Sequence, residues 1–115
     1  MQPRDAQLLE HILDYCIVIA NSLSSVDNSY DLFSNNIDIQ QSIAFSILQI
    51  GELVGRLSED LRSSTVTEIN WNAIKGMKNV VVHDYGNVDQ EEVWTAAVRD
   101  TPVLKAFCEK HLSDN

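Results

Sequence analysis

The chain has 115 residues, with 17 Asp and Glu against 8 Lys and Arg, a formal net charge of −9. That length suits one domain able to bury a core without disulfide or metal staples, and a 44% hydrophobic, 22% charged composition argues against wholesale disorder. The acidity excludes a protein that works by coating itself in nucleic acid, a mode that needs many cationic contacts to phosphate. It leaves room for brief contact with RNA through a small basic spot.

No apolar run approaches the roughly 20 residues of a membrane-spanning helix. Met1-Gln2-Pro3-Arg4-Asp5 lacks the basic stretch and apolar core of a secretory signal. The expectation is a cytoplasmic protein with no membrane partner. Cys16 and Cys108 lie far apart in sequence and form no metal-type pair, so they read as buried thiols used as small apolar groups.

Helical periodicity dominates the pattern. Leu9, Ile12, Cys16, Ile19 and Leu23 recur at steps of three and four, on one face of a first helix of about five turns. Ser24–Ser29 reads as a loop, and Asp31-Leu32-Phe33 as a short turn. A second long helix carries Ile43, Ile47, Ile50, Val54, Leu57 and Leu61, with Asp38 placed to cap its start. Gly51 and Gly55 interrupt it, each at a cost of roughly 1 kcal/mol relative to Ala. Close approach of another helix would explain them, and simple tolerance would explain them equally well.

Ser63–Thr67 forms the next connector. Trp71 to His83 is then a helix by the spacing of Ile74, Met77 and Val81, although the Val80-Val81-Val82 run alone would suit a strand. Gly86-Asn87 closes it. Asp89 caps the last helix, with Glu92 completing a capping-box pattern, and Trp94, Ala97, Val98, Leu104, Phe107 and Leu112 form its apolar side. Pro102 kinks or splits this helix. The whole is an all-α single domain over residues 1–115, four or five helices in an antiparallel bundle.

The one dense polar cluster inside an apolar stretch is Lys78-Asn79, Val80-Val81-Val82, then His83-Asp84-Tyr85. On a helix Asn79 and His83 share a face, with Lys78 about 100° round from Asn79. A histidine exchanges protons near neutral pH, and a neighbouring cation steadies phosphate charge, which suits metal-free phosphodiester cleavage. A histidine near a helix C-terminus also serves as a plain cap. His11 and His111 read as isolated residues on amphipathic helices near the chain ends, and Trp71 and Trp94 as core or subunit anchors. Glu59, Asp60, Glu91 and Glu92 read as solvated faces. No grouping has convincing metal spacing, and no cofactor is called for.

Ile50-Gly51-Glu52, Arg56-Leu57-Ser58, Trp71 through Asn79, His83-Asp84-Tyr85, Val88-Asp89 and Val93-Trp94, in this order and with these gaps, resemble the HepT-type toxins of the HEPN superfamily. The resemblance covers nearly the whole chain and implies a HEPN-like bundle and a homodimeric ribonuclease. It also implies an MntA-type minimal nucleotidyltransferase antitoxin as partner. The family motif is Arg, four to six residues, His, one residue, Tyr. By that likeness His83 is the catalytic histidine, Lys78 and Asn79 assist it, and Tyr85 accepts AMP from the antitoxin. Asp84 and Lys75 lie beside the site. In the family, two motif copies face each other across a dimer cleft.

One position departs from the pattern. The motif arginine is Lys78 here, which keeps the charge but lacks the planar fork that grips phosphate through two hydrogen bonds. The expected activity is a metal-independent endoribonuclease of a toxin–antitoxin pair. The alternative is a catalytically silent HEPN dimer that binds a nucleotidyltransferase or a nucleotide.

Overall fold

The structure is a computed structural model that describes residues 1–82 and 88–113, with Val80 and Val82 described by their backbone alone. Helix α1 spans Pro3–Ser25, with proline in its first turn where no N–H is missed. Asp27 and Asn28, at φ 55° and 53°, reverse the chain in the left-handed region that short polar residues tolerate. Ser29 then caps the single-turn α2, Tyr30–Ser34.

Helix α3 runs from Ile37 to Val54. Its cap is Asn36, whose side chain accepts from the Ile39 backbone N–H, and Asp38 lies within the first turn rather than at the cap. The long second helix expected through Leu61 ends at Gly55. Ser58 starts a separate short helix α4, Glu59–Ser64, by accepting from the Leu61 N–H, so Ser63 and Ser64 are helical rather than connector. Leu57 and Leu61 still reach the core, which is why their spacing imitates one continuous seam.

Helix α5 covers Trp71–Val82, so the valine run is helical. Asp89 caps α6, Gln90–Thr95, with one carboxylate oxygen accepting from the N–H groups of Glu91 and Glu92. A π turn over Ala96–Asp100 joins α6 to α7, Thr101–Ser113. Its cause is local. Pro102 has no N–H to give Val98, and its ring crowds that carbonyl. The Thr101 N–H bonds Ala96 instead of Ala97, whose freed carbonyl accepts the Thr101 hydroxyl at 2.6 Å. The expected kink or split at Pro102 takes the form of this π turn directly before it. Val98, expected on the apolar side, is exposed, whereas Val93 and Ala96 are buried.

The core joins Leu9, Ile12, Cys16 and Ile19 of α1 to Ile43, Ile47, Ile50 and Val54 of α3 and Leu104 and Cys108 of α7, none more than 1% exposed. Each such aliphatic side chain contributes about 1.5–3 kcal/mol by leaving water. Two polar clamps fix the antiparallel α1–α3 pair. Ser22 hydrogen-bonds Ser42 at one end, and at the other the buried Asp5 carboxylate accepts from the Ser58 N–H at 2.9 Å and its hydroxyl at 2.6 Å. The described residues form helices and turns with no strand, an all-α HEPN-like bundle. None of these helices is long and apolar enough to cross a membrane.

Both cysteines are buried free thiols. Burial pushes Cys16 up to about 12 and raises Cys108 as well, so neither is a thiolate at neutral pH.

Candidate active site on helix α5

Helix α5 is set by two anchors. At its start Asn70 accepts from the Ala73 N–H, and the Trp71 indole N–H donates at 2.9 Å to Thr65, whose own hydroxyl donates to the Leu61 carbonyl. Trp71 packs edge-on against Phe107 of α7. One and two turns on, Ile74 and Met77 are buried. This inward face leaves Asn72, Lys75 and Asn79 exposed on the opposite side.

Lys78 lies between the two faces, over α3. A Cβ built on Gly51 would stand 2.9 Å from the Lys78 Cβ, so the missing side chain is what lets the lysine stem lie against α3. Gly55 has no such neighbour; its Cβ would meet only carbonyls of the preceding turn, at 3.4 Å and beyond. Of the two readings of these glycines, close approach holds for Gly51 and tolerance for Gly55. The Lys78 ammonium extends to Glu52 at 3.4 Å, a half-exposed ion pair. Glu52 is thus the counter-ion of Lys78, a role that spacing within α5 alone gives no sign of. Pairing holds the ammonium in place and offsets part of its charge.

Lys75 and Asn79 therefore share the outward face of one helix, with Lys78 at its edge over α3 and Lys75 having no ion pair among the described residues. His83, Asp84 and Tyr85, the remainder of the expected site, lie outside the described residues, as does the Gly86-Asn87 helix end. Among the described residues no three His, Cys, Asp or Glu side chains are grouped to hold a metal ion.

The other histidines differ from each other. His11 is exposed. His111 is not isolated as expected: its ring lies 4.2 Å from that of Phe107 and its Nε2 is 3.0 Å from Glu68, which Lys110 also reaches at 3.0 Å. These bonds, that to His111 foremost, hold Glu68 below the usual carboxylate range. Trp94 packs against Tyr30 and Phe33, tying α6 to α2.

Residues 7–111 match the family described as ribonuclease HepT-like. The chain belongs to the HepT-like ribonuclease family. The match takes in the whole Lys78–Tyr85 segment. Two relatives come from Methanocaldococcus jannaschii. "Putative RNase MJ0125" is 31% identical over 99% of this chain and 97% of its own length, and "Putative RNase MJ1216" is 30% identical over 99% and 93%. "Putative RNase TTE0752" of Caldanaerobacter subterraneus subsp. tengcongensis is 26% identical over 84% of each chain. No solved structure shows a significant match. Membership in this family and the names of these relatives support ribonuclease activity in general terms.

Proposed function

We propose that this HepT-like chain is a metal-independent endoribonuclease, the toxin of a pair whose antitoxin is an MntA-type nucleotidyltransferase. The observation that carries the reading is the family match across residues 7–111, with the motif histidine and tyrosine present as His83 and Tyr85. The His83 imidazole takes the proton of a ribose 2′-hydroxyl, and the 2′ oxygen attacks the adjacent phosphorus. The bond from phosphorus to the 5′ oxygen breaks, leaving a cyclic phosphate and a 5′-hydroxyl that receives a proton. Lys78 offsets the charge that builds on phosphorus, and Asn79, exposed on the next position, orients a phosphate oxygen or the imidazole. Two chains paired across a cleft supply two such motifs. AMP on Tyr85 would place negative charge and bulk beside Lys78 and His83, where an RNA phosphate must sit.

The Lys78–Glu52 pair favours a second reading. A cation already matched by a carboxylate, and lacking the arginine fork, suits a silent dimer that binds the nucleotidyltransferase or a nucleotide without cutting RNA. Purified protein incubated with RNA and a chelator separates the two. The nuclease reading expects cleavage that His83→Ala and Lys78→Ala abolish, and growth arrest when the chain is expressed alone. Unchanged activity in those variants would refute the assigned roles. With partner enzyme and ATP, mass spectrometry should place AMP on Tyr85, with none on Tyr85→Phe.

A further inference from the structure

Between Glu68 and Asp84 lie fifteen positions without a carboxylate, the longest such stretch in a chain of net charge −9. Within it α5 is the one described helix lacking any Asp or Glu, and it carries Lys75 and Lys78. The other two lysines, Lys105 and Lys110, are each paired with a carboxylate at 2.9–3.0 Å, whereas Lys75 has no ion pair among the described residues. Asn72, Lys75 and Asn79, at steps of three and four, form one exposed row of side-chain donors about 10 Å long on the outward face. The same spacing in the sequence leads on to His83.

At the other end of the row, Asn72 lines a cavity of about 570 Å³ between α4 and the start of α5, together with Arg62, Ser63 and Asn70. Arg62 lines this cavity, and its Nε is buried without a hydrogen-bond partner. Glu59 borders the same cavity, one turn before Arg62 on α4, yet makes no ion pair with it. A guanidinium on the wall of a cavity brings a fixed positive charge and terminal N–H donors that can be offered to an anionic oxygen.

We propose that the outward face of α5 is a track for the backbone of single-stranded RNA. It runs from the cleavage site past Asn79 and Lys75 to a distal phosphate subsite formed by Arg62, Ser63 and Asn72. The proposal rests on the ribonuclease reading above and adds what holds the substrate away from the scissile bond. A strip without carboxylates on an otherwise acidic body attracts phosphate along one line and repels it elsewhere.

The test is the binding of a 2′-O-methylated RNA oligonucleotide, which has no nucleophile and so survives cleavage, measured by fluorescence anisotropy from low to moderate salt. Lys75→Ala and Arg62→Gln should each weaken binding roughly fivefold at 0.1 M salt and reduce the slope of log K against log salt by about 0.7, the share of one phosphate contact on a single strand. Lys105→Ala, on α7 and outside the track, should bind as wild type and keep the wild-type slope. Melting curves confirm that each variant is folded. Wild-type binding by both Lys75→Ala and Arg62→Gln, or an equal loss in Lys105→Ala, overturns the track. If wild type cleaves no RNA but these losses appear, the track stands and the nuclease reading falls; cleavage without them gives the converse.

Discussion

Gly51 of α3 and Lys78 of α5 touch so closely that there is no room for a methyl group between them: a Cβ on Gly51 would lie 2.9 Å from the Lys78 Cβ. The atom met is bound to the α5 backbone, not the free end of a side chain, so it cannot swing aside. Gly51→Ala should therefore destabilise the protein by about 1–3 kcal/mol through overpacking, even though alanine is the better helix former. Gly55→Ala, with αR backbone and open surroundings, should be neutral or stabilise by up to about 1 kcal/mol. Urea unfolding of the two variants side by side checks the contrast.

Lys78→Arg supplies the planar fork that the resemblance places at this position. Two parallel hydrogen bonds to a phosphate, formed as charge develops, should raise the cleavage rate on the order of tenfold, about 1.4 kcal/mol of transition-state stabilisation. Single-turnover cleavage of a labelled RNA measures this. A rate equal to or below that of wild type would show that the pairing with Glu52, not the fork, determines what the cation does.

Asp5 is 2% exposed and accepts both the N–H and the hydroxyl of Ser58, a residue that itself caps α4. Asp5→Ala leaves the Ser58 N–H without its acceptor and removes the clamp that ties the start of α1 to the end of α3. A loss of about 2–3 kcal/mol is expected, read from the urea midpoint at an unchanged m-value. Ser22→Ala, at the opposite clamp, removes one 3.3 Å hydroxyl contact and should cost less.

Glu68 joins the connector before α5 to Lys110 and His111 at the end of α7, and its proton affinity is lowered chiefly by the bond to His111. A carboxyl group whose folded pKa is depressed stabilises the fold above its ordinary pKa, and that contribution vanishes as pH falls through the depressed value. Between neutral pH and the acid range, wild type should therefore lose Tm faster than Glu68→Gln. Because the pair is exposed the difference should be small, and largest at low salt.

The apolar periodicity made the bundle legible. Steps of three and four in α1, and from Ile43 to Val54, identify buried faces because burial is what those spacings encode. It misjudged helix continuity, since Leu57 and Leu61 return to the core after a break, and periodicity registers burial without registering a cap such as Ser58. Asn36 took the capping place expected of Asp38 because either side chain serves, and only the path of the chain decides between them. Asp89 was readable because an acidic cap stands directly before an amphipathic run, although its bonds run one way and Glu92 offers only its N–H. For the candidate site, the polar cluster and the resemblance pointed to Lys78 and Asn79, both on α5. Glu52, the ion-pair partner of Lys78, comes from another helix, and no spacing within one helix reveals a partner brought in by packing.

The two tryptophans sit in separate surroundings. Trp71 is buried at the corner of α4, α5 and α7 with its indole N–H fixed on Thr65, whereas the half-buried Trp94 belongs to an aromatic group with Tyr30 and Phe33 that joins α2 to α6. Their emission therefore reports on different neighbourhoods. Trp94→Phe leaves one fluorophore beneath the Lys75 face, and Trp71→Phe leaves one at the far joint. The molecule carries two built-in optical gauges, with which the loosening of one end can be followed while the other stays closed.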